Sequence, residues 1–369
     1  MSLSVQIAII QLIIPYSFLW LASHIKLRSV IQQKTTFFFV GLLVAFIFSY
    51  IEGNRYDVGN DWMQYKDVYE TIRTGGNLGY QEDRLEAGYL LFNQIIASTN
   101  AHYTFFFFIE SFFLITTLIY IFQKNRKHAF IGVALFISIF RLYHENLSRQ
   151  FLAHTILILG VYIYFNKSKI KGSIIALISG LFHFSSFPII IIFYVLSKFD
   201  NPKIKLQYII IIFVCILILA ELIIKTLLSN YLTIMSVFTS RELYADIGEG
   251  TRYYSDYEIP ISRIIVKSFT NLYVIITGYF YIIQTKFEKY RTFLYILTTI
   301  GLSLMVPFQR YELLYRYNFY FTTFFPIFFA YLLYEYKCKI FIKYGLWLVF
   351  IYFIYCYIGE SSMQIFKFI

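Results

Sequence analysis

Gly172-Ser173-Ile174-Ile175-Ala176-Leu177-Ile178-Ser179-Gly180-Leu181-Phe182-His183-Phe184-Ser185-Ser186-Phe187-Pro188-Ile189-Ile190-Ile191-Ile192-Phe193-Tyr194-Val195-Leu196 is the stretch on which the architecture turns. Gly180 and Pro188 bracket a polar centre of His183, Ser185 and Ser186. Counted as one span, the stretch puts Lys198, Lys203 and Lys205 on the outer side and inverts every later connector. Counted as two short helices, it leaves every lysine-rich connector inside, as the positive-inside rule requires. Irregular backbone at membrane depth is tolerated only where it is buried in protein or lines a wet cavity. The expectation is a broken helical hairpin over 172–196 with His183 at its tip. One kinked span is the alternative.

The rest of the chain sets that choice in context. It is 59% hydrophobic, 22% aromatic and 14% charged, where soluble domains carry about 25% charged residues. Apolar runs repeatedly approach the roughly 17–25 residues of a spanning helix. The fold expected is an all-α polytopic integral membrane protein, a single transmembrane domain over 1–369. About ten full spans are expected near 3–23, 35–51, 103–123, 129–140, 150–165, 207–228, 261–284, 292–307, 317–334 and 344–358. The hairpin and an interfacial helix from Glu86 complete it. The outer loops are then 52–102, 141–149, 229–260, 308–316 and the tail from 359. No charged segment precedes the first apolar run, so no cleaved signal peptide is expected.

Lysine and arginine are segregated. Of 19 Lys, 15 fall in the connectors 26–34, 124–127, 167–171, 198–205, 286–291 and 337–343, with only Arg28, Arg126 and Arg291 beside them. The other ten Arg lie in or beside the opposite loops. The lysines orient the helices and meet anionic lipid, so the net charge of +11 does not imply nucleic acid. Arginine is the bidentate binder of phosphate and carboxylate. Its concentration on the outer side points to an outward-facing site for a polyanionic substrate.

Candidate site residues sit in that outer set. Asp57 and Asp61, in Tyr56-Asp57-Val58-Gly59-Asn60-Asp61-Trp62, offer carboxylates for sugar hydroxyls or general-base work. An Asx-type turn explains them equally well. Arg55 precedes them. Glu86 opens the interfacial helix, where a helix dipole also favours an acid. Arg141 and Arg149 flank a short loop that carries His144 and Glu145, and Gln150 follows; snorkelling would account for a lone Arg. His183 is an ionisable group within a span, a functional candidate by default, against a neutral His bonded to a carbonyl. Arg252 lies in the 229–260 loop. Arg310, Glu312 and Arg316 mark a span entrance, where Glu312 and Arg316 are spaced to pair. No P-loop, HExxH, Rossmann or DxD pattern occurs, so neither a metal nor a cofactor is expected. Cys215, Cys338 and Cys356 form no CxxC pair.

Four elements match a known pattern in order and spacing across roughly 35–200. They are Tyr56-Asp57-Val58-Gly59-Asn60-Asp61-Trp62, Glu86-x-Gly88-Tyr89-Leu90-Leu91-x-Asn93, Ser148-Arg149-Gln150-x-x-Ala153 and Gly180-Leu181-Phe182-His183-Phe184-Ser185. Together they resemble the EpsG-type exopolysaccharide and O-antigen polymerases of the Wzy class. Trp62 stands where that family often has Tyr, and the last third matches only in hydropathy and late arginines. The resemblance implies transfer of a growing glycan from undecaprenyl diphosphate to a fresh lipid-linked repeat unit. The reaction would run at the outer face of the bacterial cytoplasmic membrane. Outer arginines would stabilise the departing diphosphate, with Arg149 and Arg310 or Arg316 foremost; Arg252 and Arg55 would guide glycan or donor. The base would be His183, Asp57, Asp61 or Glu86. Partners implied are the lipid-linked donor and acceptor, membrane lipids and a Wzz-type chain-length regulator. The rivals are another lipid-linked glycosyltransferase or O-antigen ligase, and a flippase of the same unit.

Overall fold

Backbone polar groups in hydrocarbon must be satisfied within the chain, so long apolar runs fold as helices. The computed structural model bears this out: among the described residues, the regular structure is helical apart from one two-residue ladder. It describes residues 3–25, 29–56, 61–79, 82, 85–198, 206, 208–216, 261–310, 312–361 and 367–368. The helices are α1 (Leu3–His24), α2 (Val30–Gly53), α3 (Trp62–Arg73), α4 (Ala87–Ala97), α5 (Tyr103–Phe122), α6 (Arg126–Asn146), α7 (Ser148–Asn166), α8 (Lys169–Phe182) and α9 (Ser186–Lys198). After the undescribed stretch come α10 (Ile261–Gln284), α11 (Lys289–Met305), α12 (Glu312–Thr322), α13 (Phe325–Glu335) and α14 (Ile340–Ser361). Strand β1 (Arg55–Tyr56) pairs antiparallel with β2 (Lys367–Phe368), which ties the tail to the first long loop. The chain forms two compact units, Met1–Val195 with Phe329–Ile369, and Leu196–Phe328.

Five helices among the described residues are long and apolar enough to cross a membrane: α1, α2, α5, α10 and α14. The sequence count of about ten is larger. Helices α6 and α7 have comparable length, but their facing ends carry Arg141, His144, Arg149, Gln150 and His154. The run read as one span over 317–334 is interrupted at Thr323–Phe324. Pro326 has no N–H with which to continue the ladder to the Thr322 carbonyl.

In the first unit, close approach is bought with glycine. A Cβ on Gly160 would lie 2.6 Å from the Ala176 amide nitrogen, so α7 and α8 touch backbone to backbone. Gly53 faces the Thr104 carbonyl and Gly41 faces Ile119, so α2 and α5 run antiparallel. These directions gather the described lysine-rich connectors of this unit, near 124–127, 167–171 and 337–343, at one end. There Arg126 donates to Gln33 at 2.9 Å, Lys167 meets the Tyr120 hydroxyl, and Asn125 donates to Tyr331 at 3.3 Å. The starts of α5 and α7 and the ends of α2, α6 and α14 meet at the other end.

The 172–196 stretch is two helices with a break at His183-Phe184-Ser185. His183 is extended (φ −159°, ψ 119°) and ends α8. Pro188 falls in the first turn of α9, where an N–H would have no intrahelical partner anyway. The Phe193 ring lies 5.1 Å from Tyr164 and 6.4 Å from Phe165, so α9 runs back toward the start of α8. With 14 and 13 residues, α8 and α9 are each about 20 Å long, short of a hydrocarbon core of about 30 Å.

The loop between α2 and α5 has its own aromatic core. Trp62, Tyr65 and Tyr69 form a helical stripe on α3 that packs with Tyr89, Phe106, Phe107 and Leu152. The Tyr69 hydroxyl donates to the Ala101 carbonyl at 2.8 Å. This core holds α4, and with it Glu86, against the bundle.

Candidate functional site

Glu86 is the N-cap residue of α4, with extended backbone (φ −70°, ψ 142°) and no side-chain cap bond. A carboxylate there ordinarily accepts from the first-turn amides. This one reaches outward. Oε1 lies 2.8 Å from Nδ1 of His183, and Oε2 accepts from Nη1 of Arg149 at 2.8 Å. The approach depends on Gly88, where a Cβ would lie 2.8 Å from the Leu181 carbonyl of α8. The α8–α9 break then brings His183 alongside the start of α4. Arg149 comes from the first turn of α7, and its guanidinium sits 5.9 Å from the Tyr89 ring centre. The Tyr65 side chain bonds to it as well.

Exposure divides the cluster. The Glu86 side chain is 7% accessible, Arg149 23% and His183 27%, so the acid lies beneath and the two partners reach the surface. Glu86 lies outside the spanning helices. Burial pushes its pKa up, but the His183 hydrogen bond and the Arg149 charge prevail and bring it down to about 2. An ionised carboxylate only accepts, so His183 Nδ1 carries the hydrogen. In the neutral ring the Nε2 lone pair is then available to take a proton. On α3, burial pushes the Tyr65 phenol up to about 12. Tyr65 therefore lines the arginine as a neutral group.

A second cluster lies at the same end. Glu52, the Arg55 guanidinium and the Arg141 guanidinium form a buried group with both N–H···O contacts at 2.8 Å. Gln11 also donates to Glu52, Arg55 stacks 4.8 Å from the Phe107 ring centre, and Arg141 donates to the Tyr357 hydroxyl at 3.3 Å. Arg55 and Arg141, expected to contact substrate, are 0% and 3% exposed, with their guanidinium groups on the buried carboxylate of Glu52. Between the clusters, Ser148 donates to Oε2 of Glu110 at 2.7 Å, which fixes the residue before Arg149.

The remaining candidates are dispersed. Asp61 is half-buried just before α3. Gln150 is buried, its Nε2 3.4 Å from Nε2 of His154. Arg316 is half-buried on α12, in the second unit. Arg310 lies in the 3-10 turn Pro307–Arg310, with its side chain outside the described set. Asp57 and Arg252 lie outside the described residues. Glu52, Glu110, Tyr65 and Tyr89 were not anticipated. The signal for Glu110 was present, since a carboxylate inside an apolar run is expensive unless it has a purpose.

Fold and cluster define a helical membrane protein with a carboxylate bridging a histidine and an arginine at one end of its first unit. The chain belongs to the EpsG family, whose model matches residues 35–369, nearly its whole length. That family is associated with polysaccharide polymerisation. No curated protein and no solved structure matches the chain.

Proposed function

We propose that this protein polymerises undecaprenyl-diphosphate-linked oligosaccharide repeat units at the outer face of the bacterial cytoplasmic membrane. The observation that carries the reading is Glu86 bridging His183 and Arg149 at 2.8 Å each. In this mechanism His183 Nε2 accepts the proton of the acceptor hydroxyl. The hydroxyl oxygen forms a bond to the anomeric carbon of the donor glycan. The bond from that carbon to the diphosphate oxygen breaks, and the lipid diphosphate leaves with the electron pair. Arg149, half-exposed beside the base, stabilises the charge on the leaving diphosphate. Glu86 is then a positioning residue that fixes the His183 tautomer. Its burial, its occupied oxygens and its low pKa make it a poor base.

The outer location is supported by the described lysine-rich connectors of the first unit lying at the opposite end from the cluster. Membrane embedding of α8 and α9 is supported by their length and their return path. The re-entrant hairpin would then present His183 at its tip.

The test is deletion of the gene, complementation, and display of surface polysaccharide on a gel. Wild type should restore a ladder. Well-expressed Arg149→Ala should leave a single repeat unit. Loss of even the single unit in the deletion strain would point to a flippase or a repeat-unit transferase and refute the reading.

A further inference from the structure

The end of the first unit remote from Glu86 holds a crevice that the transfer chemistry does not use. Its cavity of about 460 Å³ lies between the α1–α2 and α5–α6 connectors. Ser23, His24, Gln33, Lys124, Arg126 and Lys127 line it, and no carboxylate does among the described residues. Lys124 and Lys127 are exposed, and no hydrogen bond or ion pair among the described residues engages either. Arg126 donates from Nη2 to Gln33 at 2.9 Å, which holds the guanidinium across the crevice. Helix α6 starts here with no side-chain cap bond and no acid in its first turn, adding its own partial positive charge.

The positive-inside rule explains why lysines lie on this side. It does not explain why three cationic side chains converge on one concavity. The adjoining surface names the ligand more closely. His24 lines the crevice and its ring lies 4.9 Å from that of Trp20, one turn back on α1. Trp20, Leu21 and Ile25 are 45%, 53% and 37% exposed and form an apolar strip beside the basic mouth. A free oxyanion has no use for that strip. A diacyl lipid would lay its chains along it, with Trp20 at the headgroup level.

We propose that this crevice binds the phosphodiester headgroup of an anionic phospholipid. Arg126 contacts the phosphate through its remaining N–H groups, Lys124 and Lys127 flank it, and Ser23 and His24 meet the glycerol. Basic pockets between membrane helices on the lysine-rich side are suited to such headgroups.

The test uses the full-length protein in neutral detergent, titrated with phosphatidylglycerol, phosphatidylcholine or inorganic phosphate while the unfolding midpoint is followed. One variant is Lys124→Gln with Lys127→Gln. The control, Lys169→Gln with Lys171→Gln, removes equal charge from exposed positions of the neighbouring connector. Phosphatidylglycerol should stabilise wild type at concentrations where phosphatidylcholine does not. The crevice variant should need about tenfold more of it or beyond, with the control little changed. Native mass spectrometry should find phosphatidylglycerol retained on wild type and control only. Equal loss in both variants, or no loss in either, would overturn the proposal. Equal stabilisation by inorganic phosphate would overturn it too, leaving an oxyanion pocket rather than a lipid site.

Discussion

Nδ1 of His183 lies 2.8 Å from Oε1 of Glu86, a contact that joins positions 97 residues apart. On the proposed mechanism it fixes which imidazole nitrogen faces the reactants and gives the two residues separate roles. On the proposed mechanism, Glu86→Gln keeps the shape and loses the charge that holds the tautomer. Turnover should fall by about 10²–10⁴, with substrate affinity little changed. His183→Ala should do at least as much harm. The double variant should be no worse than His183→Ala alone, because the two act as one unit. Steady-state elongation rates for the three variants check this, and additive losses would contradict it.

Arg149 offers a test of ligand geometry. Arg149→Lys retains the charge but loses the planar fork, so it should not rescue function. A loss of about 10²-fold or more in elongation is expected if the guanidinium stabilises the leaving diphosphate. Activity close to wild type in Arg149→Lys would reduce the residue to a simple counter-charge for Glu86.

The low pKa of Glu86 makes stability depend on pH. The folded value, about 2, lies below the ordinary 4.5. The contribution is therefore fully present above about pH 4.5 and is lost as pH falls toward 2. The stabilisation at stake is on the order of 3 kcal/mol. Wild type should lose stability over that window more steeply than Glu86→Gln, and both should be flat between pH 5 and 8 on this account. Thermal unfolding in detergent at graded pH measures it.

Glu52 is the counter-ion of two buried guanidiniums. Glu52→Gln should destabilise the protein by about 3–5 kcal/mol, the usual result of stranding a buried charge. Adding Arg141→Met should restore part of the loss, since it removes one stranded cation. Unfolding midpoints of the single and double variants decide the point.

Gly88 tests whether the contact between α4 and α8 serves the site. A Cβ there would press on the Leu181 carbonyl at 2.8 Å. Gly88→Val should cost about 1–3 kcal/mol by overpacking and should depress elongation far beyond that, by parting Glu86 from His183. Loss of stability without loss of activity would show that the contact is only structural.

The break at His183 was legible because Gly180, His183, Ser185, Ser186 and Pro188 each depart from an apolar helix pattern in a way local physics can name. Arg149 was legible as a charge at the edge of an apolar run, and Glu86 as an acid opening a short apolar helix, where a helix dipole favours an acid as well. The direction each arginine faces was not. Arg55 and Arg141 look no different in sequence from Arg149. Glu52 and Glu110 decide which way such arginines and their neighbours turn, and those pairings cross 89 and 38 residues for Arg141 and Ser148. Helix α3 was missed although Trp62, Tyr65 and Tyr69 follow helical spacing, because a short amphipathic stripe in a polar loop is easily read as a turn. The division of 317–334 follows from Pro326 and could have been expected from it.

The most direct test of the central claim is reconstitution of the purified protein with a defined undecaprenyl-diphosphate-linked repeat unit, reading product length and released lipid by mass spectrometry. The account predicts glycans of increasing length with one undecaprenyl diphosphate released for each new glycosidic bond, and none from a folded His183→Ala protein. Undiminished elongation by His183→Ala, or elongation without release of undecaprenyl diphosphate, would contradict it.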